Sequence, residues 1–156
     1  LKTFHDIILQ ELFDTKIKVN VSTSNASSFT AFFYVPAEDG NLFEFFFSAT
    51  KVGEEFPWEI VFVRANAPLG TDSIGVFNDM TAKETLATFS GVKKALMLWY
   101  NSQKPDAFAF TAKSTEGSRV RLYKKFAKLI AKKLKLNMIS GAAGSNERFV
   151  FSKKGY

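Results

Sequence analysis

With 156 residues, 46% of them hydrophobic, the chain can bury one core unaided, and its lack of cysteine excludes both a disulfide framework and a thiolate metal site. Lysine and arginine number 21 against 15 aspartates and glutamates, a net charge of +6 that suits an anionic partner without demanding one. No apolar run approaches the roughly 18 residues needed to cross a bilayer, and the opening LKTFHDIILQELF lacks the order of a signal peptide. The expectation is one cytoplasmic domain, residues 1–156, with no membrane partner.

Phe4, Ile7, Ile8 and Leu12 fall at helical spacing, so residues 3–13 read as a short amphipathic helix. Period 2 follows over residues 16–21, which predicts a strand with Ile17, Val19 and Val21 inward. FTAFFYVP and NLFEFFFSAT, separated by the turn residues AEDG, form an aromatic hairpin. PWEIVFVRA is a fourth strand, with Trp58, Ile60 and Phe62 on one face and Glu59, Val61 and Val63 on the other. Both faces are largely apolar, which places this strand centrally or covers it on both sides.

SIGVF in the following loop has the pattern of a short edge strand. Thr81 and Glu84 then make a capping box for a helix ending near Ser102, with Leu86, Phe89, Lys93, Leu96 and Tyr100 at helical spacing. Gly91 interrupts that helix at a cost of about 1 kcal/mol relative to alanine, and close approach of a neighbour supplies the reason for it. DAFAFTA reads as a short buried strand, residues 118–136 as a basic helix and NERFVFSKK as the closing strand. The resulting fold class is α+β, a mostly antiparallel central sheet flanked by helices.

The basic helix carries the clearest charge pattern. At 100° per residue from Arg119, the side chains of Arg121, Lys124, Lys125, Lys128, Lys132 and Lys135 all fall between about 140° and 240°. Leu122, Tyr123, Phe126, Leu129, Ile130 and Leu134 occupy the opposite side, which must be buried against the sheet. A one-sided stripe without carboxylates fits nucleic-acid phosphates, and it equally fits a solvated helix back whose lysine stems cover apolar surface. Ahead of the helix, the loop containing Ser114, Thr115, Gly117, Ser118 and Arg119 joins a strand end to a helix N-terminus, an arrangement that favours an anion or a local carboxylate partner for Arg119.

Other chemistry has less to build on. His5 is the sole histidine, so no histidine-rich metal site exists and no metal is expected. Asp39, Glu44, Glu54, Glu55 and Glu59 are candidate carboxylate bases, of which Glu59 is the most suggestive because it interrupts an apolar strand. The alternation of the phenylalanines with other large apolar groups assigns them to the core rather than to base stacking.

From residue 16 onward, the order of strands and helices, with the LYKKF motif of Leu122 to Phe126, resembles the GNAT fold of N-acetyltransferases. The resemblance implies acetyl coenzyme A as cofactor and Tyr123 as the general acid that protonates the departing thiolate. The asparagine common seven residues before that tyrosine is Glu116 here, a usually small residue is Arg119, and the glycine-spaced cofactor signature is absent from NDMTAKETLATFSG. The aromatic sheet together with SRVRLYKKFAKLIAKK also resembles small bacteriophage proteins, which implies a phage accessory or virion-associated role with nucleic acid or another phage protein as partner. Three readings stand: a non-catalytic basic module that binds nucleic acid, an acyl-coenzyme A-dependent N-acyltransferase, and a structural or protein-interaction module.

Overall fold

Alternating phenylalanines put one face of a seven-stranded sheet into the core. A computed structural model describes residues 16–65, 80–113, 117–144 and 146–153, with only the backbone of 113 and 117–120. The expected helix over residues 3–13, with His5, and the SIGVF strand lie outside the described residues. The strands are β1 (Val19–Ser24), β2 (Ser28–Pro36), β3 (Leu42–Thr50), β4 (Trp58–Arg64), β5 (Ala107–Lys113), β6 (Leu136–Ala143) and β7 (Asn146–Lys153). Two helices, α1 (Ala82–Gln103) and α2 (Gly117–Leu134), bracket β5 in the chain. The sheet order is β1-β2-β3-β4-β5-β7-β6, and among the described residues only the β4–β5 pair is parallel. The α+β class with a mostly antiparallel sheet is therefore as expected.

Residues of one parity line up across the strands, so Phe33 faces Phe45, Phe47 faces Phe62, Trp58 faces Phe108 and Phe110 faces Phe149. These side chains are all buried. Helix α1 packs on β1, β2 and β3, and α2 packs on β5 and β6. Phe89 of α1 touches both Tyr123 and Phe126 of α2, joining the two halves of the helical layer. Around Trp99, Trp58 and Phe108 make edge contacts with centroids 5.4 Å away, while the indole N–H, fully buried, has no hydrogen-bond partner. An orphaned donor costs about 1–3 kcal/mol, which the surrounding aromatic packing offsets.

The opposite face of the sheet is more open. Phe46 and Val61 there are each 43% exposed and Tyr34 is 42% exposed. β4 is the middle strand of the sheet, and both described helices lie on its other face, so its apolar outer side stays partly exposed at Val61.

Two expectations need correction. Val21 is exposed rather than inward, because β1 is an edge strand whose register shifts between Val21 and Thr23. The basic helix ends at Leu134, Lys135 adopts a left-handed φ of 56°, and Leu136 opens β6, a strand not anticipated. Its sequence LNMISGAA has neither β-branched density nor a long alternating run, and among the described strands it pairs with β7 alone, while α2 packs on it.

Candidate functional site

The parallel junction between β4 and β5 is short. Both strands have seven residues, yet register is kept only at Trp58 opposite Phe108 and Glu59 opposite Ala109. Beyond that point β4 continues paired to β3 as far as Arg64, and β5 continues paired to β7 as far as Lys113. The two strands therefore fork, and among the described residues their facing edges past Glu59 and Ala109 have no strand partner across the gap.

Tyr123 lies on the helical side of this fork. Its ring centroid is 6.2 Å from Phe62 of β4, 5.2 Å from Phe89 of α1 and 6.3 Å from Phe110 of β5. Helical spacing turned Tyr123, Phe126 and Ile130 toward the sheet, and all three are buried. The sequence alone did not reveal that Phe62, Phe89 and Phe110 enclose the phenol, because they come from three separate elements.

On the open face, the start of the fork carries an ion pair. Arg148 of β7 faces Thr111 of β5 in register and extends past it to Glu59 of β4. Its Nη1 donates to Glu59 Oε2 at 3.1 Å and approaches Thr111 Oγ1 at 3.5 Å, while Nη2 bonds the other carboxylate oxygen. The bond from Glu59 holds the guanidinium pKa above the ordinary arginine range, against a smaller opposing effect of burial. Glu59 is thus engaged as a fork-to-fork partner of an arginine. No matching signal in the sequence marks Arg148, which follows Asn146 and Glu147 at the polar start of β7.

The start of α1 is filled by its own side chains. Thr81 Oγ1 accepts from the Glu84 N–H, Glu84 Oε1 accepts from the Thr81 N–H at 2.8 Å, and Glu84 Oε2 accepts from the Glu38 N–H at 2.8 Å. The Thr81 N–H is the main cause that depresses the Glu84 pKa; burial opposes it, and the Glu38 N–H adds to it. The capping box thus also ties the helix to the β2–β3 turn.

Arg121, Lys124, Lys125, Lys128 and Lys132 are exposed on α2, and Lys135 is exposed just past its end. Lys124 Nζ lies 3.6 Å from the Glu147 carboxylate. Of the anticipated anion-binding loop, Ser114 and Thr115 lie outside the described residues, and Gly117, Ser118 and Arg119 are described only as helical backbone. Among the remaining carboxylates, Asp39 accepts from Asn41 in the β2–β3 turn and Glu54 lies 3.4 Å from Lys51. No cluster of three or more His, Cys, Asp or Glu suited to a metal occurs among the described residues, and none of their helices is long and apolar enough to cross a membrane. No family model, curated protein or solved structure matches the chain.

Proposed function

We propose that the protein is an acyl-coenzyme A-dependent N-acyltransferase of GNAT-like architecture that takes its cofactor between β4 and β5. The observation that carries this reading is the fork: a seven-stranded sheet whose one parallel pair separates after two residue pairs, with a tyrosine on the helix beside it. Backbone N–H and C=O groups on a strand edge require partners. The pantetheine arm of coenzyme A, an extended chain with two amides, satisfies them as an added strand does. Its sulfur end then lies near Tyr123 among apolar rings, where a thiolate is poorly solvated and readily protonated. In the reaction an amine nitrogen attacks the acyl carbonyl, the C–S bond breaks, the Tyr123 phenol protonates the departing sulfur, and the proton lost by the amine restores the phenol through solvent.

The Glu84 carboxylate occupies the start of α1, which disfavours phosphates there. They belong instead at the start of α2, beside residues 117–119. Calorimetry and thermal shift with acetyl coenzyme A test the reading. Saturable heat and a raised melting temperature are expected, and absence of both at millimolar ligand overturns it.

A second reading rests on the exposure of Arg121, Lys124, Lys125, Lys128, Lys132 and Lys135. It makes this surface a phosphate-contacting ridge of low sequence specificity, as in a phage accessory protein bound to nucleic acid. Replacing Lys124, Lys128, Lys132 and Lys135 by glutamine then flattens log K against log salt by up to four times about 0.9 for duplex DNA. An unchanged slope in the folded variant, measured by fluorescence anisotropy, excludes the ridge.

A further inference from the structure

The two edges of the sheet are protected to different degrees. β1 is preceded by the exposed Lys16 and Lys18 and is irregular in register at Ser22, devices that discourage strand addition. β6 has neither. It pairs with β7 without interruption from Leu136 to Ala143, contains no charge and no proline, and leaves Ile139 71% exposed. Among the described residues no strand pairs with its outer side, so a regular, uncharged edge of eight residues offers its outward backbone groups to another strand.

The order of side chains in β6 indicates which strand. Its first half is large (Leu136, Met138, Ile139) and its second half small (Ser140, Gly141, Ala142, Ala143). An antiparallel copy about a two-fold axis at Ser140 sets every large residue opposite a small one. Met138 then faces Ala142 of the second copy, and Ile139 faces its Gly141. A Cβ added at Gly141 meets nothing within 4 Å, so the space that the incoming Ile139 needs is open. With no charge on the strand, self-pairing brings no like charges into direct opposition.

We propose that β6 is a homodimerisation edge, joining two sheets through antiparallel β6–β6 pairing centred on Ser140. One strand pair buries less than a standard interface of about 1,600 Å², so a micromolar dimer is expected. This inference is independent of the acyltransfer and nucleic-acid readings.

Because the chain has no cysteine, single cysteines serve as site-specific reporters. Sedimentation velocity between about 1 and 300 µM should show a monomer–dimer equilibrium spanning the micromolar range. Ile139→Asp should weaken association at least about tenfold with an unchanged melting temperature, since the side chain is exposed in the monomer. Under mild oxidation Ser140→Cys should cross-link faster than Asn137→Cys, because only position 140 faces its own counterpart. A wild type that stays monomeric throughout overturns the proposal. So does a dimer indifferent to Ile139→Asp, or one that cross-links as fast through position 137 as through 140.

Discussion

Arg148 of β7 holds Glu59 of β4 across the intervening strand β5, bonding both oxygens of the carboxylate where β4 and β5 begin to separate. The pair ties together strands that share no ladder, so it limits how far the fork opens on this face. Both side chains are 34% exposed, and water screens much of the attraction. A double-mutant cycle of Glu59→Gln and Arg148→Met in urea should give a coupling of about 0.5–1 kcal/mol. A coupling near zero would show that the ladders on either side fix the fork without this tie.

Gly91 is required by Phe33. A Cβ built on Gly91 lies 2.3 Å from Phe33 Cε2 and 2.5 Å from Cδ2, and that ring is fully buried and stacked on Phe45. Alanine at 91 gains about 1 kcal/mol of helix propensity but forces the ring or the helix to move, at about 1–3 kcal/mol. Gly91→Ala should therefore be neutral to destabilising by about 2 kcal/mol, and Phe33→Leu in the same chain should recover part of the loss. Gly91→Ala stabilising the protein in chemical denaturation would mean that α1 shifts freely on the sheet.

Much of this fold is legible in the sequence because its signals are local. β2, β3 and β4 announce themselves by alternating aromatic residues, α1 by Thr81 and Glu84, and the buried side of α2 by the spacing of Tyr123, Phe126 and Ile130. β6 does not, since Lys135 and Leu136 continue the helical pattern and the chain turns at a left-handed lysine that no glycine marks. The fork is not legible either. It depends on β4 meeting β5, with Trp58 opposite Phe108 across all of α1, and no periodicity encodes how soon two distant strands part. For the same reason Glu59 was visible as an oddity while its partner, Arg148, was not.

Glu84 makes stability depend on pH in a definite direction. Its folded pKa lies below the ordinary glutamate value of about 4.3, so the unfolded chain takes up its proton first as pH falls. The contribution of this carboxylate is fully present above the unfolded value and is lost as pH drops through the folded one. Glu84→Gln should lower stability at pH 7 and flatten the loss below about pH 4.5, as followed by urea denaturation across the acid range. Thr81→Ala should cost about 1 kcal/mol at neutral pH, since it removes the acceptor for the Glu84 N–H. An acid profile in Glu84→Gln superimposable on that of the wild type would assign the acid loss to other carboxylates.

Tyr123 and Phe126 are three residues apart on the buried side of α2, and substitutions there separate structure from chemistry. Phe126 is 1% exposed and packs on Phe89 and Phe110, so Phe126→Ala should cost about 3–5 kcal/mol. A loss below about 1 kcal/mol would show the site collapsing around the missing ring. Tyr123→Phe keeps the ring that meets Phe62, Phe89 and Phe110 and removes only the hydroxyl, so the fold should survive. If the phenol protonates a departing thiolate, the rate of acyl transfer should fall by about 10²–10⁴ while acetyl coenzyme A still raises the melting temperature. Measured with a leaving group that needs no protonation, the deficit should shrink. An equal deficit with both leaving groups would make Tyr123 part of the aromatic wall and remove it from the proton transfer.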